Sequence, residues 1–375
     1  MIRKYRQIDY FFLCVVIAYA FDFGNIKYAL AGLFALIYLF LGNHRRIILK
    51  GNKAGKGLVD IICGILILLA ITFFLQILYG FNSYAINEAI YFLTPVVFVW
   101  VYISRSSNAD VDRAIDWFLL TYTISFLYQY IPKLTIENIL AISFINSYSP
   151  FESEFAFIFL ILEAHYLAKK QNTKAIWPLV LCILSMKRIC LIVSVLLYVT
   201  RKWFANDKRI SKEGFLVSVA LFVGIPIVMC YLVDNNISDW LYYQYGIDLN
   251  IISLTRSERL ELVLDAGIVN RGLGSITPFV TNTMNDIYGS KHVNRSLHND
   301  LARIYLECGL VGSIVFTWSY LKAVRFSRPV FLVMCYIFLE CCFNHLFGAG
   351  TADMWMVMYL FVAYTAGKSN GREAV

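Results

Sequence analysis

The most regular feature of the sequence is the alternation of long apolar runs with short polar segments. Many of these runs approach the ~20 residues that an α-helix needs to cross ~30 Å of hydrocarbon. We therefore expect an all-α protein, a polytopic transmembrane helix bundle of about twelve spans. The runs lie near residues 10–23, 28–41, 58–78, 88–103, 114–131, 151–168, 175–186, 189–200, 214–233, 300–321, 330–347 and 354–366.

The composition supports this interpretation and excludes a soluble domain. The chain has 375 residues, of which 59% are hydrophobic and only 15% are charged, whereas soluble domains carry about 25% charged residues. The nine cysteines lie in or beside apolar runs without disulfide or metal-ligand spacing, so we interpret them as small hydrophobic residues. The basic amino terminus could open a cleavable signal, but a second apolar run follows almost at once, which favours a retained first span.

The net charge of +8 would suggest a nucleic-acid partner if the chain were soluble. Its distribution gives another explanation, because 23 of the 33 lysines and arginines fall in alternate connections between the apolar runs. Cytoplasmic loops of membrane proteins carry such an excess. The pattern predicts that both termini are cytoplasmic, that the bilayer is a partner and that nucleic acid is not.

Ten basic residues lie outside the cytoplasmic set, and seven of them occur at two places, the Lys187-Arg188 turn and the loop 234–298. This loop divides the chain into spans 1–9 (1–233), the loop, and spans 10–12 with a cytoplasmic tail (299–375). Long loops are usually functional or disordered. The aromatic residues at 240–245 favour order, and they could lie at the bilayer interface or under a sugar ring.

A short helix is predicted inside this loop. The segment 255–258 has the form of a capping box, and Gly267 supplies a stop about eleven residues later. Helical periodicity puts Arg256 and Arg259 on one face. The following segment, Asn270–Ser275, contains two glycines that could let backbone N–H groups approach an anion.

The stretch 294–312 joins the loop to the tenth run and carries the strongest candidate for chemistry, His298. A helix N-terminus disfavours the imidazolium, so this ring should tend to be neutral and able to accept a proton. A structural alternative is that His298 only helps to cap the helix beside Asn299, which is itself a good N-cap residue.

Asp300, Arg303 and Glu307 form one stripe on the same predicted helix. Charged groups inside a span are costly and normally face the bundle interior or a water-filled cavity. A structural ion-pair ladder and a role in the site are both open. A similar stripe, Glu340 and Asn344, is interpreted as a packing or hydration feature.

Arg188, Arg256 and Arg259 have the planar, permanently charged side chains that bind oxyanions through two parallel hydrogen bonds. The alternative is that each pairs with lipid headgroups. Because the positive-inside bias disfavours all three where they are, we expect an anionic ligand at the outer face.

Three segments together resemble the O-antigen polymerase and ligase superfamily, bacterial membrane glycosyltransferases that use undecaprenyl-pyrophosphate-linked sugars. The most specific is His298-Asn299 followed after nine residues by Gly309-Leu310-Val311-Gly312. The others are 257–260 leading to Arg271-Gly272-Leu273-Gly274, and 184–188. The chain departs from the family at Val263, where tryptophan is frequent, and in the shortness of the Lys187-Arg188 turn.

The resemblance implies an inner-membrane polysaccharide polymerase that needs no metal or cofactor and that works with a chain-length regulator protein. A growing glycan on undecaprenyl pyrophosphate would be the donor, and one lipid-linked repeat the acceptor. Arg188 and Arg259, assisted by Arg256, would bind the pyrophosphate, and His298 would take the proton from the acceptor hydroxyl. The further residues expected to contact substrate are Arg271, Asn299, Arg303 and Glu307.

Two other functions are compatible with parts of the pattern. An O-antigen ligase, which transfers the finished glycan to the lipid A core, would share the same chemistry. A lipid-linked sugar flippase or other transporter would share the number of spans. Transporters tend to show internal repeats and charged sites near the bilayer midplane, whereas here no repeat is visible and the outlying charge is concentrated in one loop.

Overall fold

The computed structural model describes residues 7–40, 53–142, 150–204, 209–234, 237–246, 256–289, 297–342, 344, 346–347 and 352–366. Within these ranges every regular element is a helix and no strand occurs, which confirms the all-α prediction. The apolar runs explain this result, because a helix satisfies its own backbone hydrogen bonds inside hydrocarbon.

Each of the twelve apolar runs coincides with a helix. Within the described ranges, two single 3₁₀ turns occur at Ile131–Lys133 and Thr200–Phe204. The α-helices are α1 (Gln7–Ala20), α2 (Ile26–Phe40), α3 (Lys53–Tyr79), α4 (Tyr84–Arg105), α5 (Asn108–Tyr130), α6 (Ile136–Leu140), α7 (Phe155–Ala168), α8 (Asn172–Leu184), α9 (Arg188–Val199), α10 (Lys212–Asp234), α11 (Ile237–Tyr245), α12 (Arg256–Asp265), α13 (Ile276–Tyr288), α14 (Asp300–Val324), α15 (Arg328–Cys341) and α16 (Ala352–Ala366).

Four of the described helices are long and apolar enough to cross a membrane: α3 from Gly57 onward, α4, α10 and α14. Several of the others are apolar but shorter than 18 residues. These lengths indicate a membrane protein, while the number of crossings stays a prediction.

Helix α14 lies in the centre of the described bundle and packs against α3, α10, α15 and α16. The approach of α3 depends on two glycines. A Cβ atom on Gly57 would lie 2.6 Å from the carbonyl oxygen of Ala323, and one on Gly64 would overlap Ser319. Small residues at helix interfaces allow such close contact in membrane proteins.

The predicted loop contributes the helices α11, α12 and α13. Helix α12 ends as expected, with Gly267 in the left-handed region at φ 61° and the N–H of Ile268 bonded to the carbonyl of Val263 at 3.3 Å. Helices α12 and α13 share an apolar cluster with the ends of α10 and α14, which we call the loop cluster. Its buried members are Cys230, Leu260, Val263, Ile276, Val280, Met284, Leu297, Ala302 and Leu306.

Candidate functional site

His298 lies between two anchored residues at the entry to α14. Leu297 is 1% exposed in the loop cluster, and Asn299 is the N-cap, whose Oδ1 accepts the N–H of Ala302 at 2.9 Å. The His298 side chain is half-buried, and its backbone is in the left-handed region at φ 51°. The neighbours on both sides therefore fix an unfavourable backbone conformation at this one residue.

A left-handed residue also occurs in each of the other two segments that resemble the family. Among the described residues, positive φ occurs outside glycine at Asp22, Lys170, Met186, Asn270 and His298. The last three belong to the three segments that resemble the family. Sparsely populated backbone conformations occur at active sites, but they also end many helices, as at Lys170 after Ala168, so the choice of segments stays a prediction.

Helix α14 is broken at Gly309, which has φ 70° and ψ −173°. A continuous helix would bond the carbonyls of Leu306 and Glu307 to N–H groups four residues later. At the break, these carbonyls instead accept the N–H groups of Asn270 at 2.6 Å and Gly272 at 2.8 Å. The segment that follows α12 is therefore docked by its backbone onto the break in α14.

The anion that the glycine-containing turn binds is the side chain of Glu307. Its Oε1 accepts the N–H of Ile276 at 3.0 Å, and the N–H of Gly274 lies close to the same carboxyl group. Gly274 has φ 80°, and a Cβ atom there would lie 2.8 Å from the carbonyl carbon of Tyr84. The sequence indicated a turn whose backbone could approach an anion, and in the structure the group beside this backbone is a carboxyl group of the protein itself.

Arg303 lies at the centre of a buried ion network on α14. Its side chain is 1% exposed. Nη1 lies 3.0 Å from Glu88 Oε1 and 3.8 Å from Glu307 Oε2, and Nε lies 3.4 Å from Asp300 Oδ1. Sequence reasoning missed Glu88, whose only signal is an acidic residue at the start of an apolar run. Among the described residues, no group of three or more His, Cys, Asp or Glu could hold a metal ion.

The network also fixes the connection between α15 and α16. Asp300 Oδ2 accepts the N–H groups of Leu346 and Phe347, the latter at 2.7 Å. Arg303 Nη2 donates to the carbonyl of Phe347 at 2.7 Å, and Trp355 Nε1 donates to that of Leu346 at 3.0 Å. The first half of α14 is thus bound to α4, to the loop turn and to this connection.

The predicted arginines differ in exposure. Arg259 and Arg188 are half-buried, on α12 and at the first residue of α9, and Arg271 is exposed beside the docked turn. The Arg256 side chain lies outside the described residues. Because Leu260 and Leu297 share the loop cluster, α12 with Arg259 and the His298 segment belong to one packed unit.

A chain of hydrogen bonds links the first turn of α9 to the same end of the bundle. The Sγ of Cys190 lies 3.0 Å from the hydroxyl of Tyr336, which donates to Glu340 Oε1 at 2.7 Å. Asn344 Nδ2 donates to Glu340 Oε2 at 2.5 Å. This chain ends two residues before the connection that Asp300 holds. It therefore links α9 to α15 and to the α15–α16 connection, part of which Asp300 of α14 also holds. Neither Cys190 nor Tyr336 had been singled out from the sequence.

No family model matches this chain, and no curated protein matches it either. The only support for a functional hypothesis is therefore the sequence of the three segments and the geometry of their residues.

Proposed function

We propose that this chain is a membrane glycosyltransferase that polymerises undecaprenyl-pyrophosphate-linked oligosaccharide repeats into O-antigen or a related surface polysaccharide. The proposal includes about twelve spans in the bacterial inner membrane, cytoplasmic termini and a periplasmic loop 234–298. The observation that carries it is the setting of His298. This residue is half-buried, has a left-handed backbone and lies at the start of the first half of α14. The loop that bears the arginines is docked by its backbone onto this half-helix.

In this proposal the reaction is a single displacement with inversion at the anomeric carbon. The acceptor hydroxyl attacks the donor sugar, the bond to pyrophosphate breaks, and His298 takes the hydroxyl proton. General-base assistance of this kind contributes about 10²- to 10⁴-fold in rate. Arg188 and Arg259, with Arg256, hold the pyrophosphate and stabilise the charge that develops on the leaving group.

Burial supports a division of roles among the other candidates. Asp300, Arg303 and Glu307 are 0% exposed, and Asn299 is 4% exposed and caps α14. Groups so enclosed are better suited to hold the site than to contact a sugar. We therefore assign Asn299, Arg303 and Glu307 to positioning, in place of the substrate contacts that the sequence suggested, and retain Arg271 as a substrate contact.

The test is a gel of surface lipopolysaccharide from a deletion strain of the source organism. The proposal predicts core that bears a single repeat, with long chains restored by the wild-type gene. Complementation with Arg188→Gln or Arg259→Gln should fail, whereas Arg113→Gln, which alters a basic residue of the predicted cytoplasmic set, should restore long chains. Bare core would identify a ligase instead, and an unchanged ladder would overturn the whole assignment.

A further inference from the structure

A cavity of about 430 Å³ lies at the opposite helix ends from His298. Its lining consists of Thr200 and Trp203, in the 3₁₀ turn that follows α9, and Arg328 and Leu332, in the first turns of α15. The catalytic proposal uses none of these residues. Helix α9 begins at Arg188 and α15 ends near Glu340, so the two helices run from the candidate site to this cavity.

The positive charge beside the cavity has no acidic partner among the residues that the structure describes. Arg328, which lines the cavity, and Lys202, which lies in the same turn as Thr200 and Trp203, are exposed, and neither has an ion pair or hydrogen bond within the described part of the chain. The sequence contains no Asp or Glu in 195–204 or 325–339. In addition, Ser327 gives no side-chain cap to α15, and an uncapped helix N-terminus favours an anion.

The helix faces beside this cavity are apolar and exposed. On α9, Leu196 and Val199 are 56% and 65% exposed, and on α15, Leu332 is 41% exposed. Apolar faces left open on the helices of a membrane protein normally contact lipid. A groove beside such faces accommodates an acyl chain, and Trp203, 76% exposed, supplies an amphipathic ring of the kind that is enriched at membrane interfaces.

We propose that this cavity binds one anionic phospholipid. Arg328 and Lys202 hold the headgroup phosphate, and the acyl chains lie along Leu332 between α9 and α15. Basic pockets between membrane helices bind anionic headgroups in this way. The inference does not depend on the glycosyltransferase proposal, because it uses only the cavity, its charge and its apolar walls.

The experiment is native mass spectrometry of the purified full chain, titrated with phosphatidylglycerol or with phosphatidylcholine of the same acyl composition. We expect one phosphatidylglycerol to be retained in preference to phosphatidylcholine. Arg328→Gln and Lys202→Gln should each lower that retention about fivefold. Lys212→Gln, which removes an exposed charge outside the cavity lining, should leave it unchanged.

A second pair of variants separates a formed site from general attraction to a charged surface. Leu332→Trp fills the cavity and keeps every charge, so it should reduce phosphatidylglycerol retention, whereas Leu339→Trp on the same helix should not. Equal retention of both lipids would overturn the proposal, as would equal behaviour of the two tryptophan variants. Displacement of the lipid by inorganic phosphate would also overturn it and would identify a soluble phosphate as the ligand.

Discussion

The charged residues around the start of α14 form two groups that differ in their surroundings. Asp300, Arg303 and Glu307 are fully buried, and each is bonded to another part of the protein. His298 precedes the same half of α14, and Arg271 lies in the turn that is docked onto the end of that half; these two residues are half-buried and exposed, respectively. We call Asp300, Arg303 and Glu307 the inner group and His298 and Arg271 the outer group. The inner group stabilises the fold, whereas the outer group is accessible to a ligand. Proximity along the sequence therefore does not define the site.

The largest effect on stability is expected from replacing Arg303, the centre of the inner group. Arg303→Met leaves three carboxylates buried around an apolar side chain, and breaking such a network costs about 3–5 kcal/mol. We expect a large loss of folded protein, measured by size exclusion in detergent after heating. Arg113 also pairs with two acids, at 3.0 and 3.6 Å, but is 28% exposed, so Arg113→Met should cost at most about 1 kcal/mol.

The outer group should behave in the opposite way. His298→Asn removes the base, while asparagine tolerates the left-handed backbone better than alanine does. Turnover should fall about 10²- to 10⁴-fold, and the free energy of unfolding should change by no more than about 0.5 kcal/mol. If His298→Asn unfolded the protein as well as abolishing turnover, His298 would belong to the inner group.

The turn that carries Arg271 is docked at the break in α14, next to Glu307 of the inner group. Substitution of Gly309 tests how much this docking depends on the break. Its φ of 70° and ψ of −173° are essentially restricted to glycine, and a Cβ atom would lie 2.9 Å from Asn270 Oδ1. Gly309→Ala should therefore destabilise the protein by about 1–3 kcal/mol and loosen the docked turn. Gly224→Ala in α10 meets nothing within 4 Å and should be neutral or slightly stabilising.

The smallest effect is expected at Arg271. Because this side chain is exposed, Arg271→Gln should leave thermal stability unchanged and raise KM for the lipid-linked donor by no more than about fivefold. The effect should disappear at high ionic strength. Lys133→Gln, another exposed basic residue outside the cytoplasmic set, serves as the control. A stability loss at Arg271 would show that the outer group also holds the fold.

Local patterns were sufficient to predict a large part of this architecture. Apolar runs located the helices because burial in hydrocarbon requires them, and the capping pattern with Gly267 located α12. The stripe of Asp300, Arg303 and Glu307 followed from helical spacing alone. Each of these features depends on residues close together in the sequence, where periodicity and capping act.

The partners of that stripe could not be predicted in the same way. Glu88 meets Arg303 from more than 200 positions away, and the turn that binds Glu307 lies about 30 positions upstream. Nothing in the local sequence specifies which distant group compensates a buried charge, because packing of whole helices decides it. The break at Gly309 was hidden for the same reason, since it depends on the loop backbone docking there.

The most direct test of the account is elongation by the purified wild-type protein, reconstituted in vesicles with its undecaprenyl-pyrophosphate-linked repeat. The account predicts a ladder of polymer lengths, with one undecaprenyl pyrophosphate released for each glycosidic bond formed. Movement of the lipid-linked repeat across the vesicle membrane without any lengthening would contradict it and would identify a transporter.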